Sequence, residues 1–146
     1  LADLMILVLV LLVTWQLWRY RERCLGYLRW RWRLLQCDRL WHKLLHQPNI
    51  APGKIEACQF LIANWLDLAG LKRQPGRDLL EHADIVKQRI PILTEEYTFI
   101  AECAADTWYS SHQPDGSLSE KVLQYTRHFR RKIKPFLSHR RQRQYA

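Results

Sequence analysis

The chain has 146 residues, room for one modest domain of about 125 residues beside a membrane segment and not for several domains. Seven Trp, six Tyr and four Phe can fill a real core, while only five Gly and little β-branched alternation point to helices rather than strands. The net charge of +9 sits at two ends: residues 19–43 carry eight cations against Glu22 and Asp38, residues 127–143 carry eight cations and no acid, and residues 44–126 have seven Lys/Arg against eleven Asp/Glu.

The first element is the uncharged run Leu4 to Val13, followed by Trp15 and Trp18 and then Arg19, Arg21 and Arg23. Apolar residues in hydrocarbon, indoles at the headgroups and cations in the next aqueous layer make this order a membrane exit, with residues 1–18 as a transmembrane anchor. In a cleaved signal peptide the cations would precede the apolar stretch. The run from Ala2 to Trp18 rises only about 25 Å against a hydrocarbon core of ~30 Å, and the first residue is Leu, so the span is expected to begin upstream. The arginines on the exit side place residues 19–146 in the cytoplasm by the positive-inside rule. Scattered Cys24, Cys37, Cys58 and Cys103 suit reduced thiols there better than a disulfide framework.

From 19 to 47 the spacing of Cys24, Tyr27, Leu28, Leu34, Cys37, Trp41, Leu44 and Leu45 predicts a basic amphipathic juxtamembrane helix. Gly26 is a possible bend, and Trp30 and Trp32 lie off the stripe. Pro48, Pro52 and Gly53 make Gln47 to Gly53 the linker to a helical domain over 52–137. Within it, a helix from about Pro52 to Ala69 faces Ile55, Cys58, Ile62, Trp65, Leu66 and Leu68 inward, with Gly70 as C-terminal cap. Asp78 and Glu81 form a capping arrangement for a third helix to about Gln88. Pro91 opens a fourth, with Leu93, Tyr97, Ile100, Ala101, Ala104 and Trp108 as its buried stripe to about Ser110. A loop over 111–116 leads to a fifth helix opened by the box Ser117 to Glu120, with Val122, Tyr125, Phe129 and Ile133 inward. Residues 138–146 read as a basic polar tail. The expected fold is all-α: a transmembrane helix continuing into an amphipathic helix, then a small four-helix domain.

Leu68-Ala69-Gly70-Leu71, Arg73-Gln74-Pro75-Gly76, the Asp78-x-x-Glu81 cap, Pro91, and Leu93-Thr94-x-x-Tyr97 leading to Trp108-Tyr109 follow one another over about half the chain. In this order they resemble domain of unknown function 4129. That domain usually forms the cytoplasmic C-terminal end of transglutaminase-like membrane proteins and also occurs alone behind a membrane helix. Two departures stand out: Asp78-Leu79 replaces a common Thr-Pro, and Trp108-Tyr109-Ser110 replaces a frequent Arg-Tyr-Gly. The resemblance implies a helical accessory module and transfers no catalytic residue.

Chemistry read from the residues themselves is sparse. A thiol nucleophile needs a His base and an orienting acid, and Cys58 or Cys103 can be paired on paper with His82 or His112. Both cysteines fall within helical stretches and nothing resembles a nucleophile turn, so packed thiols are expected and no catalytic residue is assigned. Cys37, His42 and His46, five and four residues apart, lack a fourth ligand and a C-x-x-C pair, so no metal and no cofactor are assigned. Glu95, Glu96, Glu102 and Asp106 read as a solvated face. The basic surface of Arg127, Arg130, Arg131, Lys132 and Lys134 fits anionic headgroups at about 1 kcal/mol per cation near the bilayer. Nucleic acid is the less favoured partner, because Tyr125 and Phe129 fall on inward spacing rather than on a stacking face. The sequence thus reads as a membrane-anchored cytoplasmic accessory or interaction module with a protein partner in a membrane assembly. The alternative is the regulatory C-terminal domain of a transglutaminase- or protease-like membrane enzyme whose catalytic core lies upstream.

Overall fold

A computed structural model describes residues 1–48, 53–110 and 115–138 of the chain. All regular structure among them is helical, as composition and periodicity predict. Five α-helices run Ala2–His46 (α1), Lys54–Leu68 (α2), Leu79–Arg89 (α3), Thr94–Tyr109 (α4) and Gly116–Ile133 (α5), with single 3-10 turns at Pro91–Leu93 and Lys134–Phe136. The chain divides into two compact units, Leu1–Arg33 and Leu34–Ala146. The division falls inside α1, upstream of the expected linker, because Cys37, Trp41 and Leu44 of its last turns are core residues. Of the residues singled out in the sequence, Pro52, His112, Pro114, Arg140, Arg141, Arg143 and the tail from 139 lie outside the described residues.

In the first unit α1 runs through Gly26 without a break. Every residue from 1 to 25 is exposed, the apolar stretch included, so this part of the helix has no apolar protein surface to cover it. Leu4 to Val13 is long and apolar enough, with its flanks, to cross a membrane by length and composition. Thr14, one of the few polar side chains there, donates its hydroxyl to the carbonyls of Val10 and Leu11 at 2.9 and 3.0 Å, so its polar group is satisfied within the helix. The expected amphipathic stripe is not buried along its whole length. Cys24, Tyr27 and Leu28 are exposed, whereas Trp30, which lies off that stripe, is buried.

In the second unit α2 and α4 pack on each other and both pack on α5, while α3 lies on α4. α2 begins at Gly53, whose φ of 78° is left-handed backbone open to glycine. It ends in a Schellman arrangement: Leu71 N–H donates to Leu66 O at 2.8 Å and Gly70 N–H to Asp67 O at 3.0 Å, with Gly70 at φ 95°. Leu66 and Leu71 are both buried, the apolar contact that usually accompanies this ending. All six residues expected to face inward from α2 do so, together with Leu61, Gln59 and Lys54. The Lys54 ammonium is buried yet donates to Gln47 O at 3.1 Å, just past the C-terminus of α1, where the helix dipole favours a cation.

Asp78 caps α3 by accepting from Leu79 N–H at 2.7 Å, and among the described residues Glu81 returns no bond to it. Pro91 opens the 3-10 turn that leads into α4. At α5 the cap is Asp115, not the expected Ser117, whose hydroxyl instead donates to Asp115 Oδ2 at 2.8 Å. The inward stripe of α5 is Val122, Thr126, Phe129 and Ile133. Tyr125, expected there, is half-buried and stacks on Phe99 with ring centroids 4.2 Å apart. Thr126 takes the inward position because its hydroxyl is satisfied within the helix, donating to Val122 O at 2.7 Å. The centre of the unit is a row of rings: Trp41, Trp65, Phe129, Tyr97 and His82, with successive centroids 6.1, 6.4, 6.4 and 5.6 Å apart.

Candidate functional site

Two regions carry chemistry. The first is the part of α1 that follows its apolar run. Trp15 and Trp18 are more than half exposed, and the Arg19 guanidinium lies 5.3 Å from the centre of the Trp15 ring, one turn earlier. This i,i+4 cation–π pair keeps a cation over an indole at the level where headgroups would lie. Arg21 and Arg23 are exposed on the same segment.

The basic surface of α5 is smaller than its sequence implies. Arg130 donates to Asp38 Oδ1 at 3.1 Å and lies 5.9 Å from the centre of the Trp41 ring, fastening α5 to the last turns of α1. Lys132 forms an ion pair with Glu96, whose carboxylate is buried between α4 and α5 and whose Oε2 has no other partner. Glu96 therefore does not belong to a solvated acidic face, although Glu95, Glu102 and Asp106 are exposed as expected. Of the five cations predicted for this surface, Arg127, Arg131 and Lys134 are exposed. Sequence periodicity missed the two pairs because a cation one or two positions from an apolar stripe reads as solvated unless its partner on another helix is known.

The second region is a cavity of about 370 Å³ in the helical unit, lined by residues of α2, α3 and α4 and by Arg73 from the turn between α2 and α3. Its polar floor is a chain of oriented hydrogen bonds. His82 is 3 % exposed, and the Leu71 carbonyl 3.1 Å from its Nε2 can only accept, which places the imidazole proton on Nε2. Nδ1 is then an acceptor, and the Tyr97 hydroxyl, 2.8 Å away, donates to it. The Gln59 amide in turn donates to the Tyr97 oxygen. Burial holds the His82 imidazole below its usual range and the nearby Arg73 and Arg77 guanidinium groups push the same way, so the ring is neutral. Burial likewise pushes the Tyr97 phenol up to about 12. Gln59 Oε1 is buried and has no hydrogen-bond partner among the described residues.

Around this floor stand apolar walls and two charged side chains. Phe60, Leu79 and Trp108 supply the apolar lining. Trp108, expected on the buried stripe of α4, is 49 % exposed, because the stripe's last turn passes the cavity mouth instead of the core. Glu56, half-buried, and Arg73, exposed, line the same space, and among the described residues neither forms an ion pair. Their legible signal in the sequence was modest: Gln59, His82 and Tyr97 are polar residues at inward helical positions, and a buried polar group needs partners.

The thiols are placed for packing. Cys58 is fully buried beside Thr126, which hydrogen-bonds its side chain, and burial pushes its pKa up. Burial and the carboxylates of Asp106 and Glu102 push Cys103 up as well. A thiol held protonated is a poor nucleophile; of the two bases considered, His82 is occupied by Tyr97 and Leu71, and His112 lies outside the described residues. Cys37 is buried, His42 is exposed, and His46 is engaged by the His42 carbonyl at 2.7 Å. Among the described residues no group of three His, Cys, Asp or Glu side chains is placed to hold a metal ion. No family model matches the chain, and no curated protein or solved structure matches it.

Proposed function

We propose that this protein is a membrane-anchored helical accessory module, with residues 19–146 on the cytoplasmic side, that docks a protein partner in a membrane assembly and performs no catalysis of its own. The observation that carries this reading is the wholly exposed apolar start of α1 followed by the Trp15–Arg19 pair. An apolar helix with no protein cover is stable in hydrocarbon and not in water. The arginines after Trp18 set the orientation, and Arg127, Arg131 and Lys134 add attraction to anionic headgroups.

Expressed with its native N-terminus, the protein should resist extraction by alkaline carbonate, and its C-terminus should be protected from protease in sealed cells. Release into the soluble fraction overturns the anchor, and cleavage of the C-terminus in intact cells overturns the orientation. A second reading, the regulatory tail of a transglutaminase- or protease-like membrane enzyme, is favoured by the order of the Gly70 ending, the Asp78 cap and the Pro91 turn, which follows the family pattern named above.

A further inference from the structure

One exposed face of α1 has the period of a coiled coil. Trp18, Arg21, Leu25, Leu28, Trp32 and Leu35 follow one another at alternating steps of three and four residues, the a and d positions of a heptad, and all six are exposed, Leu28 at 59 %. Traced back through Thr14, the same spacing reaches Leu4 without a break, so the seam runs for about 47 Å along one continuous helix. Upstream of Trp18 almost every position is apolar and the spacing selects little. Downstream it selects: of the six arginines between residues 19 and 35, only Arg21 falls on the seam. Trp30, the buried residue of the first unit, lies two positions from both Leu28 and Trp32, about 200° round the helix, so the seam is not the side that α1 turns inward there. A heptad pattern of this length on a helix without internal caps is the signature of a coiled coil.

We propose that this seam pairs with that of a second copy of the chain as a parallel two-stranded coiled coil. Such a seam is complementary to itself: a copy laid alongside in the same direction sets Leu25 against Leu25 and Leu28 against Leu28, each knob entering a hole of the facing helix. Leu25, Leu28, Trp32 and Leu35 follow the arginines and meet water, so covering them drives the pairing, whereas the apolar half upstream adds packing in hydrocarbon and no hydrophobic drive. The charged layer fits the same occupant. Arg21 faces its counterpart, and Glu22, the sole carboxylate between residues 4 and 37, stands at the next position, which flanks that layer, so each guanidinium meets the second copy's Glu22. A charged residue at one seam position fixes register and strand number at a cost in stability. The parallel orientation rests on the membrane reading, since two chains inserted the same way present α1 in the same direction; the heptad repeat does not.

The test is oxidative cross-linking of the full chain in its membrane fraction, with Cys24→Ser as background. Leu28→Cys, on the seam, should give a disulfide-linked product of twice the chain's mass under copper phenanthroline, and Arg23→Cys, exposed on the far side of the helix, should give little. Sedimentation equilibrium in density-matched detergent then measures the pairing itself. Leu25→Gln/Leu28→Gln should weaken it at least about tenfold, and Arg21→Leu should tighten it, because the charged layer is removed. These side chains are exposed in the single chain, so the variants keep its helicity, which circular dichroism checks. A monomeric wild type, equal cross-linking at 23 and 28, or wild-type pairing of the double glutamine variant overturns the proposal. So does a cross-linked product of any other mass, which assigns the face to a different protein. Carbonate extraction separates this inference from the anchor: a chain that is released yet cross-links at 28 removes the anchor and keeps the coil, and one that stays in the membrane as a monomer removes the coil alone.

Discussion

Replacing Tyr97 by Phe removes one oxygen from the centre of the helical unit and leaves its volume nearly intact, so the loss reads out polar interactions and not a cavity. That oxygen accepts from the Gln59 amide and donates to His82 Nδ1 at 2.8 Å. In the variant both partners stay buried, His82 at 3 % and Gln59 at 4 % exposure, with a donor and an acceptor unpaired. Each unpaired buried group costs about 1–3 kcal/mol, and water entering the adjoining cavity refunds part of this on the Gln59 side, so the net cost should be about 2–4 kcal/mol. For a domain of this size 1 kcal/mol moves Tm by roughly 4–8 °C, giving an expected fall of roughly 8–32 °C. Thermal unfolding of the full chain in detergent, followed by far-UV circular dichroism, measures it. Tyr109→Phe is the matched control, since Tyr109 is 87 % exposed and its loss should leave Tm unchanged. A Tm for Tyr97→Phe equal to that of the control would show that the hydroxyl is not the link between Gln59 and His82.

Burial lowers the pKa of folded His82, while the unfolded residue takes up its proton at about 6.5. Below that pH the unfolded state binds more protons, so stability should fall as pH drops from about 6.5 towards the lowered folded value and level off beneath it. His82→Gln should flatten this part of the urea-denaturation profile, and an unchanged slope would remove His82 as its source. Lys132→Met strips the Glu96 carboxylate of its cation, at a cost of about 2–4 kcal/mol, below the 3–5 of a fully buried pair because the ammonium side is 40 % exposed and screened. The double variant Glu96→Gln/Lys132→Met should recover more than half of that loss in the same assay. Recovery of none would mean that Lys132 acts through packing alone.

Much of the fold was readable because apolar periodicity and punctuation agreed. The inward residues of α2 and the stops at Gly70 and Pro91 all followed from helical spacing and backbone chemistry. The errors have two causes: spacing along one helix is blind to what another helix presents, and it does not show how a polar side chain is satisfied within its own helix. Trp108 continues the α4 stripe by spacing, yet it meets a cavity mouth where no helix among the described residues covers it. Thr126 displaced Tyr125 from the α5 interior because a hydroxyl that bonds its own helix counts as apolar to the core. The cavity itself was not readable, since Glu56, Gln59, Arg73, His82 and Tyr97 come from four separate stretches of sequence and only tertiary packing brings them to one space.

The row of rings from Trp41 to His82 also governs how this sequence can change. Each inner ring touches one on either side, so Trp65 answers to Trp41 and Phe129, and Tyr97 to Phe129 and His82. Neighbours in contact couple by about 0.5–3 kcal/mol, so the effect of replacing one ring depends on the identity of the next. Substitutions along the row are therefore epistatic: a smaller residue at 65 is tolerated only beside a larger one at 129, since Trp41 is already the largest side chain, and drift at these positions proceeds in compensated pairs while the exposed helix faces vary one residue at a time.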